Sequence, residues 1–206
     1  MGIRYIHSRM DEGLAGVGIL VGPKGRGSNM AAIIRACQAG EVPGVVRTVI
    51  APSASSPALE TARELEVPTQ VTPYGEEYPA RLIEALKECR WLCLAGFMRI
   101  LPVEVLRHLE GRVLNIHPGL LPKHGGKGMY GHFVHEAVIA AGDTESGCTV
   151  HYVTEEYDEG PPILQMTCPV YPDDTPDTLA ARVLALEHQA YPAALAKAIR
   201  DSEVRV

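Results

Sequence analysis

From Val17 onward, short apolar runs alternate with segments of helical period. The runs at 17–21, 45–50, 69–71, 91–95 and 113–116 read as strands, each brief and rich in Val, Ile, Leu or Ala. Between them Met30, Ile33, Ile34 and Cys37 fall on one helical face, residues 59–65 form a short helix, and Leu82, Ile83 and Leu86 mark a third. Gly40 stands where a helix would stop. This alternation is the signature of βαβ units on a mostly parallel sheet, an α/β fold. After residue 117 the pattern changes. A glycine-rich stretch leads to a helix over 132–141 and then to two strands, 148–154 and 163–170. Only eight residues join those strands, too few for a parallel crossover, so the pair is predicted to be antiparallel. A last helix over 175–200 contains Pro192, which predicts a kink. Residues 1–16 show no sustained period and read as a flexible or expression-derived leader ahead of a single domain over 17–206.

Composition narrows the function classes. With 206 residues, 46 % apolar and 21 % charged, the chain has the make-up of one ordinary globular domain. Its net charge is −6, and the basic residues are scattered, so no stripe for nucleic acid is expected. The longest apolar run, 15–22, is far short of the roughly 20 residues a membrane span needs. Five cysteines and no secretory leader point to free thiols in a reducing cytoplasm.

Two places carry candidate chemistry. Gly22-Pro23-Lys24-Gly25-Arg26-Gly27-Ser28-Asn29 follows a strand and opens a helix, where unpaired N–H groups and the helix dipole favour an anion. The run lacks the third glycine and the later acidic residue of a dinucleotide fingerprint, and the Lys of a P-loop. A plain tight turn capped by Ser28 or Asn29 is the alternative. At the end of another strand stands Asn115-Ile116-His117, and a period of two puts Asn115 and His117 on one face at the carboxyl edge of the sheet, where open α/β sheets bind ligands. A neutral amide donor beside a switchable imidazole suits an oxyanion, although the same pair could simply satisfy a turn. Asp158 and Glu159 precede Gly160-Pro161, a turn between strands. His132/His135 and Cys148/His151 have spacings that invite a metal, but no compact four-ligand set assembles, and no metal is expected.

Taken together, Gly-Arg-Gly-Ser-Asn at 25–29, Ala-Gly-Phe-Met-Arg-Ile-Leu at 95–101, Asn-Ile-His-Pro-Gly-Leu-Leu-Pro at 115–122 and Asp-Glu-Gly-Pro at 158–161 closely resemble the phosphoribosylglycinamide (GAR) formyltransferase family. The resemblance implies a Rossmann-like formyltransferase fold with an N-terminal nucleotide-binding part (17–117) and a C-terminal folate-binding part (118–206). It implies metal-free transfer of the formyl group of 10-formyltetrahydrofolate to the amine of GAR, the third step of purine synthesis, by a monomer or homodimer. It places catalysis on Asn115, His117 and Asp158, and GAR on Gly27, Ser28, Asn29 and Glu187. It assigns the folate to Met98, Arg99, Ile100, Leu101, Asn115, Val153, Thr154, Glu155 and Asp158, with Thr149 and His151 beside the trio. Gly75 stands where many members carry an Arg facing the folate tail, and the glycines of the 123–131 loop predict mobility over the site.

The chemistry accords with those assignments. Attack of an amine on the formyl carbon builds negative charge on its oxygen, which Asn115 and a protonated His117 would hold. Asp158 would raise the His117 pKa and relay the amine proton. The alternative within the same chemistry is formyltetrahydrofolate hydrolase, with water as acceptor. Methionyl-tRNA formyltransferase would need a basic C-terminal module that this acidic chain lacks, and a non-catalytic nucleotide-binding module would have no use for the trio.

Overall fold

The computed structural model describes residues 13–204. Seven strands, β1 (Ala15–Val21), β2 (Gly44–Ala51), β3 (Thr69–Val71), β4 (Trp91–Ala95), β5 (Val113–His117), β6 (Glu145–Tyr152) and β7 (Pro162–Pro169), form one sheet in the order β3-β2-β1-β4-β5-β6-β7. The first five pair in parallel, and β6 is antiparallel to both β5 and β7. The expected antiparallel pair is present, and the reversal begins one strand earlier, at β5–β6. The helices are α1 (Ser28–Gln38), α2 (Pro57–Glu64), α3 (Tyr78–Ala85), α4 (Val103–His108), α5 (His132–Ala140) and α6 (Pro176–Glu203).

Both faces of the sheet are covered, because alternate strand residues feed two separate cores. Val17, Ile19 and Val21 of β1 pack with α1, α2, α5 and α6, around Met30, Leu59, Val134 and Leu195. Leu20 points the other way, into a smaller core with Leu82 of α3 and Val105 of α4. Burial of each such side chain stabilises the fold by about 1.5–3 kcal/mol. Tyr191 ties α6 to the sheet centre: it is fully buried, and its hydroxyl hydrogen is shared between the carbonyls of Leu94 and Leu114, each 2.9 Å away.

Several boundaries move. β1 starts at Ala15, whose partner is Gly44, so Ala15 and Gly16 belong to the sheet and not to a leader; residues 1–12 of that leader lie outside the described residues. β6 begins three residues earlier than predicted and ends at Tyr152, which leaves Val153 and Thr154 in the following turn. Helix α4 has only six residues and a single apolar turn, too short for a periodic pattern to show. Gly40 does stop α1, with φ +75° just past the cap residue Ala39. Helix α6 starts from a capping box between Thr175 and Thr178 and continues unbroken through Pro192 to Glu203.

Candidate active site

The carboxyl ends of β4 and β5 lie beside the Thr149–His151 stretch of the antiparallel β6. Antiparallel register sets His151 opposite Asn115 and Thr149 opposite His117, so four side chains of period two face one another. The Asn115 Nδ2 donates toward His151 Nε2 at 3.2 Å, and His151 Nδ1 donates to the Tyr152 carbonyl at 2.9 Å. The turn after β6 then brings in Asp158, at a left-handed φ of +57°. Its Oδ2 lies 3.4 Å from His117 Nδ1, its Oδ1 lies 3.5 Å from His151 Nε2, and the Gly126 N–H donates to Oδ2 at 3.0 Å. Asn115 and His117 of one strand are thus brought together with Asp158 from a distant turn, with His151 as a fourth member. On the far side of His117, Nε2 donates to the His124 carbonyl at 2.8 Å.

Burial and charge act in opposite directions here. Burial pushes the Asp158 carboxyl up, but the nearby His151 and His117 imidazoles and the Gly126 N–H outweigh it, and the pKa falls below the usual carboxylate value. His117 does not follow the sequence expectation. Its imidazole is 3 % exposed, and that burial, together with the neighbouring His151 and His124 imidazoles, lowers its pKa by more than the Asp158 carboxylate and the His124 carbonyl raise it. The net direction is downward from 6.5. His135, buried on α5, is pushed further, to about 4.

Thr149 is fully buried and does not reach the cleft. Its hydroxyl donates to the Gly119 carbonyl at 2.7 Å and accepts from the Leu121 N–H at 3.1 Å and from Gln165 Nε2 at 2.9 Å. It fixes the start of the 118–131 loop. Gln165, which had no sequence signal, also holds the Leu121 carbonyl at 2.9 Å.

The glycine run sits where the sequence put it, between β1 and α1. Gly27, rather than Ser28 or Asn29, occupies the cap position, at φ +78°, and no side chain caps the helix. Its first-turn N–H groups therefore carry no side-chain acceptor, the arrangement an anion would use. Asn29 Nδ2 donates to Glu187 Oε2 at 2.6 Å, across 158 residues of sequence. Glu187 is 8 % exposed, and burial raises its pKa, partly offset by Asn29. Asn29 Oδ1 is buried without a partner.

Beside the trio lies an open cleft. Arg99, Ile100, Leu101, Asn115, Val153, Thr154, Glu155 and Asp158 line it, eight of the nine positions expected for the folate. Met98, half exposed, is not among the lining residues. Phe97, His151 and Tyr157 line the cleft as well; the aromatic pair sits in turns, where periodicity is silent. The Arg99 guanidinium lies 4.2 Å over the Tyr74 ring, next in sequence to Gly75. Among the described residues no group of three or more His, Cys, Asp or Glu is arranged to hold a metal ion.

Comparison with known proteins supplies an independent line. The formyl transferase family pattern matches residues 18–195. Phosphoribosylglycinamide formyltransferase of Escherichia coli (strain K12) is 40 % identical over 84 % of this chain and 83 % of its own length. The chloroplastic phosphoribosylglycinamide formyltransferase of Vigna unguiculata is 40 % identical over 81 % of this chain, which spans 56 % of that protein. A crystal structure of phosphoribosylglycinamide formyltransferase from Brucella melitensis superposes with a TM-score of 0.81 at 41 % identity, covering 89 % of this chain and 95 % of the other.

Proposed function

The chain belongs to the formyl transferase family, and from that premise we propose that it transfers the formyl group of 10-formyltetrahydrofolate to the amine of GAR, a step of purine synthesis. The observation that carries this reading is the Asp158 carboxylate, set between the imidazoles of His117 and His151 beside the Asn115 amide, at the wall of one cleft. That constellation can stabilise an oxyanion and move a proton. No serine or cysteine nucleophile takes part in it.

The steps follow from the groups present. The neutral amine of GAR attacks the formyl carbon, a C–N bond forms, and the carbonyl electron pair moves onto oxygen. Asn115, which lines the cleft beside His151, donates its second Nδ2 hydrogen to that oxygen. Asp158 is ionised at neutral pH and accepts the proton of the new ammonium group. Collapse of the intermediate breaks the bond to N10 of the folate, and Asp158 returns the proton to that nitrogen. No water is consumed. His117 stands behind Asp158, away from the cleft wall, with its Nδ1 toward the carboxylate, and holds it by charge when the imidazole is protonated.

GAR is placed with its phosphate at the uncapped start of α1, near Gly27, Ser28 and Asn29, and with its sugar hydroxyls toward Glu187. The folate ring is placed in the cleft, its apolar wall formed by Ile100, Leu101 and Val153. Both partners are small molecules, and the five cysteines, none in a disulfide, suit a reducing compartment. The test is release of tetrahydrofolate from 10-formyltetrahydrofolate with and without GAR. Release that requires GAR supports the transferase; equal release without it makes the protein a hydrolase.

A further inference from the structure

We propose that Asp143 is a positioning residue for His117: by anchoring the side chains of Lys123 and His124, it holds the His124 carbonyl on the His117 Nε2–H. The inference rests on the formyl-transfer reading for its kinetic consequence, while the geometry stands without it.

His124 lies in the 118–131 loop at φ +55°, a left-handed conformation that disfavours a residue with a Cβ. Something must hold it there, and the side chain shows what does. His124 Nε2 donates to Asp143 Oδ2 at 2.8 Å, and the neighbouring Lys123 Nζ donates to Oδ1 at 2.5 Å. Both oxygens of one carboxylate are therefore used on consecutive loop residues. Asp143 is itself set on a firm base, since its N–H donates to the Val138 carbonyl at the end of α5 at 3.2 Å. It is 17 % exposed and His124 14 %, so these contacts are partly shielded from water.

The consequence reaches the site through one atom. With the His124 carbonyl 2.8 Å from Nε2, that nitrogen must carry a hydrogen. Nδ1 is then the nitrogen that faces Asp158, and the ring cannot rotate without losing the bond. Without Asp143, relaxation at His124 would withdraw the carbonyl. The groups facing His117 are Asp158 and His151 on the cleft side, His124 from the loop, and His135 from α5. Of these, the His124 carbonyl is the acceptor for Nε2.

The experiment follows the His117 ring nitrogens by NMR titration of the full chain, in wild type, Asp143→Ala and Asp143→Asn, alongside steady-state kinetics. In Asp143→Ala the His117 titration moves to lower pH, because the lost bond favoured the charged ring. kcat falls on the order of 10- to 100-fold, and KM for both substrates stays near wild type. Asp143→Asn keeps an acceptor oxygen and recovers part of both effects. Wild-type titration of His117 in Asp143→Ala overturns the proposal, whether kcat is retained or lost. If wild type itself fails to formylate GAR, the functional reading fails, and the titration still decides the role of Asp143.

Discussion

His117 Nδ1 lies 3.4 Å from Asp158 Oδ2, and the two side chains are 3 % and 11 % exposed. From sequence alone the pair reads as mutual stabilisation of charge, with a carboxylate that keeps the imidazole protonated. The structure reverses half of that. Asp158 has three compensating neighbours and ionises readily, whereas His117 is too deeply buried for one carboxylate and one carbonyl to restore its usual basicity. In the proposed reaction Asp158 is therefore the group that handles protons, and Asn115 the principal oxyanion donor.

Replacing Asn115 with Ala removes that donor. kcat is expected to fall by roughly 10²-fold or more, with both KM values changed far less. Steady-state kinetics at saturating GAR and formyl donor check this. Near wild-type turnover would move the oxyanion site away from Asn115.

The proposed GAR side of the site is better probed at Glu187 than at Gly27. A Cβ at Gly27 would sit 2.9 Å from both the Ala58 Cβ and the Met30 Cε, at a φ of +78° that L residues avoid, so any substitution there also disturbs α1. Glu187→Gln keeps the shape and removes the charge. KM for GAR should rise about ten-fold or more while KM for the folate stays put. Equal changes in both constants would give Glu187 a structural role only.

Much of this arrangement was legible in the sequence. The five parallel strands announce themselves as short β-branched and aliphatic runs, and the alternation of Asn115 and His117 on β5 already places both on one face. What the residue pattern by itself left hidden, His151 and Glu187 having entered through the resemblance alone, depends on contacts between distant segments. His151 becomes part of the site only because the β5–β6 register sets it opposite Asn115. Glu187 looks like a solvated helix residue until α6 packs on α1 and Asn29 meets it. The His124–Asp143 contact needs a left-handed turn at a residue that is not glycine, for which no local pattern exists.

Stability should depend on pH through His135. Its Nδ1 is buried without a partner and its pKa is depressed to about 4. Between the ordinary value of 6.5 and about 4, the unfolded chain binds a proton there that the folded chain refuses. Its stabilising contribution is complete above pH 6.5 and is lost as pH falls toward 4. Denaturant midpoints measured across that window should drop in wild type and drop less in His135→Leu. Parallel slopes for the two proteins would remove His135 from the account.

Exhaustive chelation should leave turnover unchanged, because the proposed steps use only Asn115, Asp158 and the histidines around them. Activity lost on chelation and restored by a single divalent ion would require a different mechanism.

The most direct measurement follows the formyl carbon itself. With ¹³C in the formyl group of 10-formyltetrahydrofolate, NMR of the reaction mixture reports where that carbon goes in wild type and in Asp158→Asn. The account predicts that label appears on the GAR nitrogen one for one with tetrahydrofolate in wild type, and at least about 10²-fold more slowly in Asp158→Asn. Label accumulating as formate in wild type, or reaching GAR at an unchanged rate in the variant, would contradict it.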